Sequence, residues 1–371
     1  MDFQQGQKRT LHYKRLEKST VSFDVYFPPQ NINPTDPTTG SLSVPAVIYF
    51  HGGGLAVGNR ESWFPTWLYR RVMSLGYAFI SADYQLLPPA TGHDIVQDIQ
   101  DLFGFLSQTE LSGHPYRFKI NVNKIAVSGS SAGGLCAYLA ATHCSPKPKA
   151  VVSMYGMGGN FFTPHYLTPK EAPFFRGREL LDPNDFSEFI HPFPNGPLAS
   201  LSESHLAYHS QTYHIPGYPA NKRMLLARLY LQLGVFLDYY TGMHEPSVSD
   251  SLRAAMHINR TDTSVEVIYK NLILDSHRHI FPQLELSTAN GNQGCQWPAT
   301  MLLHGTADTA VPIGESRHMR DLLQAAGVFV ELVEFEGQEH SFDYEADAGE
   351  LWAWRFDDVK DFLRKWLEVE P

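Results

Sequence analysis

The pentapeptide Gly129-Ser130-Ser131-Ala132-Gly133 sets a hydroxyl among small residues. It lies where the apolar run Lys124-Ile125-Ala126-Val127-Ser128 gives way to Gly134-Leu135-Cys136-Ala137-Tyr138-Leu139-Ala140. A G-x-S-x-G pattern between a strand-like and a helix-like segment is the setting of a nucleophile elbow. The small flanking residues let the chain turn so tightly that the Ser131 hydroxyl stands clear of the backbone. A helix beginning just beyond it aims free N–H groups and a positive dipole end at the reacting centre. In this reading Ser131 is the nucleophile of a hydrolase, and the chain must also supply a base and an oxyanion site. Alone, the pattern equally fits an ordinary Gly/Ser turn, so the partner residues decide.

Those partners fall at the ends of further strand-like runs. His51-Gly52-Gly53-Gly54 follows Ala46-Val47-Ile48-Tyr49-Phe50 directly. Consecutive glycines let backbone N–H groups converge on a developing oxyanion with no side chain in the way. Asp308, in His304-Gly305-Thr306-Ala307-Asp308, follows the run Thr300-Met301-Leu302-Leu303, and a carboxylate there can fix the tautomer of an imidazole. His340, in Gly337-Gln338-Glu339-His340-Ser341-Phe342, follows Phe329-Val330-Glu331-Leu332-Val333. It is one of 17 histidines, and its position singles it out as the base, with His304 nearby as the competitor. The order Ser131, Asp308, His340 is that of the α/β-hydrolases and not of chymotrypsin or subtilisin. The Asp308–His340 interval fits one α–β step, and the longer Ser131–Asp308 interval leaves room for a large insertion.

The elements needed to position these residues are legible as a β–α rhythm. Extended segments at Leu11–Leu16 and Val21–Phe27 precede a Pro/Asn/Thr/Gly-rich loop over Pro28–Ser43. Strands at Ala46–Phe50, Tyr77–Ser81, Lys124–Ser128 and Ala150–Met154 alternate with helical stretches over Trp63–Leu75 and Asp94–Thr109 and with the helix after Ser131. Repeated units of this kind imply a mostly parallel central sheet flanked by helices. The rhythm breaks over 156–297, rich in Pro, His, Phe and Tyr, with one nearly all-apolar helix spanning Asn221–Tyr240. It resumes at Thr300 and ends in an amphipathic helix over Leu351–Leu367. The expected organisation is therefore a core of 1–155 and 298–371 with a large, mainly helical cap inserted at 156–297.

Composition narrows the partners. The 371 residues are 43% hydrophobic and 18% charged, ordinary for a folded globular chain. A net charge of −10 without any basic block argues against nucleic acid or an anionic membrane as partner. Cys136, Cys144 and Cys295 form neither a disulfide framework nor a zinc-type spacing, so neither metal nor cofactor is expected. The N-terminus lacks the apolar core of a signal peptide, and no stretch is long enough to span a bilayer. The most apolar, Met224–Tyr240, is interrupted by Arg228, Gln232 and Asp238. Cytoplasmic localisation is the resulting expectation, under which the acceptor pattern Asn259-Arg260-Thr261 carries no meaning. The oligomeric state is left open.

One more motif, Asp83-Tyr84-Gln85-Leu86-Leu87-Pro88-Pro89 after the Tyr77–Ser81 strand, completes a set that resembles the hormone-sensitive-lipase-like serine esterases. Members of that group carry His-Gly-Gly-Gly, Asp-Tyr-Arg-Leu-x-Pro and Gly-Asp-Ser-Ala-Gly-Gly; this chain departs from them at Gln85 and Ser130. The resemblance covers residues 10–155 and 298–367 and implies an α/β-hydrolase fold. It also implies that the oxyanion donors are the N–H groups of Gly53, Gly54 and Ala132, with Asp83 and Tyr84 as structural support. The Asp308 segment, with Thr309-Ala310-Val311-Pro312, is more similar to the prolyl-oligopeptidase and feruloyl-esterase branches. The 156–297 insertion matches no named cap.

The expected activity is hydrolysis of a small-molecule carboxylic ester through a Ser131–His340–Asp308 triad and an acyl-enzyme. An ester is favoured because an alcohol leaving group needs less protonation than an amine. The insertion's aromatics, Phe161, Phe162, Tyr166, Phe174, Phe175, Tyr208, Tyr213, Tyr218, Tyr230, Tyr239 and Tyr240, suggest a bulky or apolar substrate, though each also fits plain cap packing. An alternative keeps the triad but makes the chain a biosynthetic acyltransferase, thioesterase or cyclase. A remote one is a ligand receptor, as in the gibberellin receptors, which share the fold but have a defective triad; here all three triad residues are present.

Overall fold

Runs such as Ala46-Val47-Ile48-Tyr49-Phe50 have no polar face, and in the computed structural model every residue of this run is buried. Strands of that kind belong in the middle of a sheet covered on both sides. The structure describes residues 8–28, 42–112, 117–258, 265–288 and 296–368. Cys295, the Asn259–Thr261 pattern and most of the Pro28–Ser43 loop lie outside them.

The sheet consists of β1 (Lys8–Arg15), β2 (Thr20–Tyr26), β3 (Leu42–Phe50), β4 (Ala78–Ala82), β5 (Glu110–Ser112), β6 (Arg117–Ser130), β7 (Ala150–Met154), β8 (Ala299–Gly305) and β9 (Val330–Phe335). Its order is β1-β2-β4-β3-β6-β7-β8-β9, with β5 pairing to β6 off this path. β1, β2 and β5 pair antiparallel, and every pairing from β4 to β9 is parallel. The sheet is thus mostly parallel, as the β–α rhythm implies.

The register brings the carboxyl ends of five parallel strands, β3, β6, β7, β8 and β9, to one edge. Phe50 lies opposite Gly129, Ser130 opposite Met154, Met154 opposite Leu303, and Gly305 opposite Phe335. Ligands of open α/β sheets bind beyond such carboxyl ends. The glycine turn after Phe50, Ser131, Asp308 and His340 all begin from that edge.

Helices α1 (Thr66–Ser74), α2 (Gly92–Gln108) and α3 (Ala132–His143) connect the first parallel strands. The insertion carries α4 (Pro164–Leu167), α5 (Arg223–Leu233), α6 (Phe236–Thr241), α7 (Val248–Ile258), α8 (Val265–Leu272), α9 (Asp275–Arg278) and α10 (Pro282–Thr288), and contributes no strand among the described residues. α11 (Gly314–Ala325), α12 (Ala348–Leu351) and α13 (Ala353–Glu368) close the chain. The two faces of the sheet have separate cores. Val127, Leu135 and Ile99 pack on one face, while Ala126, Trp67 and Phe356 pack on the other. There Trp67 of α1 stacks on Phe356 of α13 with centroids 4.0 Å apart.

Three expected elements differ in detail. The single helix expected over 221–240 is two helices, because Gly234 takes the left-handed conformation (φ 67°) and ends α5. The Gly234 N–H donates to Leu231 O and the Val235 N–H to Tyr230 O, the paired bonds of a glycine C-cap. The first helix starts at Thr66 rather than Trp63, since Trp63 has positive φ and Pro65 sits at the cap. The helical part of the insertion lies mainly in its second half; between α4 and α5 the only helical element is a 3-10 stretch over Pro183–Phe189.

Candidate active site

Ser131 sits between the end of β6 and the start of α3 with φ 55° and ψ −121°, a strained conformation for a non-glycine residue. Its neighbours show why the flanking residues are glycines. A Cβ at Gly129 would lie 2.0 Å from Gly133 O, and one at Gly133 would lie 2.0 Å from Phe50 O. The elbow is held by backbone alone: the Ser131 N–H donates to Met154 O (2.9 Å), and Ser131 O accepts from Gly134 N (2.9 Å) and Met157 N (3.0 Å). The Ser131 hydroxyl makes no hydrogen bond among the described residues, and Ser131 lines the cavity.

The glycine turn after β3 faces the same cavity. Gly53 has φ 101°, and a Cβ there would approach Val57 O to 2.1 Å, so no other residue fits. The amides of Gly53, Gly54 and Ala132 make no hydrogen bond to a backbone carbonyl among the described residues. Behind the turn, His51 stacks on Tyr84 at 4.5 Å, and the Tyr84 hydroxyl donates to His51 O (2.8 Å). Burial lowers the His51 pKa to about 4, so the ring stays neutral. Asp83 accepts from the Arg60 backbone N–H and guanidinium, each at 2.6 Å, and Arg60 also reaches Asp24 and Glu203. Asp83 and Tyr84 support the turn from outside the cavity; neither lines it.

Asp308 and His340 meet at 2.7 Å, from Nδ1 to Oδ2. The other carboxylate oxygen accepts from the N–H groups of Ala310 (2.9 Å) and Val311 (2.8 Å). Burial works to raise the Asp308 pKa, but the imidazoles of His340 and His304 outweigh it and hold the carboxyl below the usual range. His304 lies 3.3 Å from the same carboxylate oxygen through Nε2, which also meets Val311 O (2.8 Å), and its Nδ1 meets Ser316 Oγ (2.7 Å). Fully buried with both nitrogens engaged, His304 does not reach the cavity, whereas His340 lines it. Glu339 joins the two loops, accepting from Thr309 N (2.8 Å), Thr309 Oγ1 (2.7 Å) and His340 N (2.7 Å). Under the imidazole, Tyr155 packs edge-on at 4.6 Å and donates to Asp343 (2.5 Å), which also accepts from the Trp67 indole (2.8 Å).

The cavity over these groups is about 240 Å³, with Ser131, His340, Gly53 and Gly54 on its floor. The insertion forms its other wall: Met224, Ala227, Arg228 and Leu231 follow the i, i+3, i+4, i+7 spacing of one helix face of α5. Ala227 sits so close that a Cβ at Gly54 would lie 2.2 Å from its own Cβ. Of the aromatics noted in the insertion, Tyr166, Phe175 and Tyr208 line the cavity. Phe161, Tyr230, Tyr239 and Tyr240 instead pack against other rings in the core. Among the described residues, no group of His, Cys, Asp or Glu could hold a metal ion, and no helix is long and apolar enough to cross a membrane. The thiols of Cys136 and Cys144 are free and buried, with pKa values pushed up by burial.

Arg223 at the start of α5 ties the insertion to the core. Its buried guanidinium donates to Ala56 O (3.1 Å), Leu87 O (3.1 Å) and Pro88 O (2.6 Å), and burial lowers its pKa to about 10. Sequence reasoning missed this contact, as it missed Arg60, Glu339 and the bonds of His304. Arg223→Met removes the donor and leaves three carbonyls unpaired, so denaturant unfolding should show a loss of about 2–4 kcal/mol. Unchanged stability would mean that the insertion is held by its apolar contacts alone.

Comparison with known proteins agrees with the fold. The BD-FAE family model matches residues 24–156 and the prolyl oligopeptidase family model residues 274–370, the second spanning Asp308 and His340. Esterase 2 of Thermogutta terrifontis superposes over 98% of this chain and 93% of its own, with a TM-score of 0.53 at 17% identity. The chain has the α/β-hydrolase fold. Among curated relatives of the chain, the probable carboxylesterase M8 of a Phoma species is 33% identical over 30% of the chain and 37% of the relative. The non-reducing polyketide synthase ausA of Emericella nidulans is 24% identical over 97% of the chain and 14% of the synthase. The chain thus spans well under half the length of the curated relatives it first matches.

Proposed function

We propose that this protein cleaves a carboxylic ester through an acyl-enzyme formed on Ser131. The observation that carries the reading is the convergence of Ser131, an Asp308-paired His340 and the unpaired amides of the glycine turn on one cavity. His340 takes the Ser131 proton as the oxygen attacks the carbonyl. Asp308 holds the ring with its proton on Nδ1, leaving Nε2 free to accept. The amides of Gly53, Gly54 and Ala132 receive the oxyanion, each such donor contributing about 3 kcal/mol of barrier lowering. The proton then passes from His340 to the departing alkoxide. Water activated by the same imidazole releases the acid and restores Ser131.

The apolar residues Met224, Ala227 and Leu231 on the cavity face of α5 support a bulky acyl or alcohol part. A second reading has a specific observation in its favour. The match to the polyketide synthase runs through the insertion, while the match to the carboxylesterase covers 30% of the chain. It supports an acyl thioester as substrate and a polyketide acyl group as what is released or transferred.

A fluorophosphonate probe tests the shared core of both readings. Peptide mapping after labelling should find the adduct on Ser131; an adduct elsewhere, or none, overturns the assignment. Turnover of p-nitrophenyl esters against N-acetylcysteamine thioesters of the same acyl group then separates esterase from thioesterase.

A further inference from the structure

We propose that the substrate carries an anionic group, a carboxylate or phosphate, which docks on Arg228 beside the oxyanion turn. The proposal deepens the reading above and rests on it for which cavity is the substrate's.

Arg228 lies on the face of α5 that walls the cavity, immediately after Ala227, which abuts Gly54. The residue is only 7% exposed. An arginine so placed is ordinarily matched by a carboxylate or a set of carbonyls, because an uncompensated buried charge costs several kcal/mol. Arg223, five residues earlier on the same helix, has three carbonyls. For Arg228, Nε has no hydrogen-bond partner, and no carboxylate comes within ion-pair distance among the described residues. Its polar neighbour is the Tyr218 phenol, and burial lowers its pKa. A second phenomenon points the same way: the cavity lining holds Arg176, Arg178 and Arg228 but neither Asp nor Glu. In a chain of net charge −10, this is a local reversal of sign. Arg176 and Arg178 are exposed and lie in the same lining as the half-exposed Tyr208, so they stand at the rim while Arg228 stands inside.

A planar guanidinium presents a fork of donors that matches a carboxylate or phosphate in bidentate fashion. The missing counter-charge is therefore supplied by the ligand. Two sources share this chemistry: a carboxylate on the acyl part, or the phosphate of a pantetheine arm carrying the acyl group.

Calorimetry on the wild-type protein separates them with matched pairs that contain no carboxylic ester. N-hexyladipamic acid is compared with N-hexyladipamide, and phosphopantetheine with pantetheine. The charged member of one pair should bind about tenfold or more tightly than its neutral partner, the preference weakening with added salt. Arg228→Met should erase the preference and Arg228→Lys restore part of it, with thermal unfolding confirming that both variants fold. A preference in the first pair assigns the acyl carboxylate, and one in the second the pantetheine phosphate. No preference in either pair, or a preference that survives Arg228→Met, overturns the proposal. Because binding is read without turnover, its failure is distinct from failure of the Ser131 assignment, which fluorophosphonate labelling reports.

Discussion

Ser131→Ala is expected to lower kcat for an activated ester by about 10⁵–10⁶-fold, while KM changes little. The size follows from the loss of the covalent route, which neither the amides of the glycine turn nor the imidazole can replace. Residual catalysis of about 10³-fold over water should persist, because the oxyanion donors and the cavity remain. The substitution is also clean. Every bond that shapes the elbow is made by the Ser131 backbone, to Met154, Gly134 and Met157, and alanine keeps all of them. Thermal unfolding should match the wild type closely. A variant retaining a tenth of the wild-type kcat would remove Ser131 from the chemistry altogether.

Asp308→Asn should cost about 10⁴-fold in kcat with the fold retained. The bonds around the carboxylate dictate what an amide does there. Two backbone N–H groups, from Ala310 and Val311, demand an acceptor at one position, so the amide oxygen must stay with them. Its NH₂ then faces His340 Nδ1 and must donate to it, which drives the ring proton to Nε2, where it blocks acceptance from Ser131. The same NH₂ meets the donor Nε2 of His304, adding a repulsive contact. His304→Gln is a contrast, since His304 acts only through Asp308, and its effect should be about tenfold. Equal losses at Asp308 and His304 would mean that the acid–base pair has been misread.

The parts of this site most legible in the sequence were those where backbone geometry restricts residue type. Only glycine fits at Gly53, Gly129 and Gly133, and each of these appears in the chain as part of a motif. Strand ends were equally legible, because fully buried parallel strands read as unbroken apolar runs. The supports were hidden because their partners are distant in sequence. Arg60 meets Asp83, Arg223 meets Ala56 and Leu87, and Glu339 meets Thr309, and spacing along the chain encodes none of these pairs. One signal was present. Three polar residues interrupt the apolar stretch after Met224, and each has a task in the fold: Arg228 faces the cavity, Gln232 exchanges two bonds with the Leu181 backbone, and Asp238 accepts from Ser249 N at the start of α7. A polar residue in a helix that is otherwise apolar all round marks a contact worth seeking. The break at Gly234 was legible in principle too, since glycine at the end of a helical run is its commonest stop signal. What the aromatics of the insertion would do was not legible, because ring packing and cavity lining use the same residue types.

The close approach of Gly54 to Ala227 limits how such a protein can change over time. The catalytic floor and the insertion above it are not interchangeable parts. An insertion borrowed from a relative must bring a small residue to this one spot, or it will push the oxyanion turn out of shape. A larger side chain at Ala227 would therefore press on the turn at Gly54, coupling the wall of the cavity to its floor.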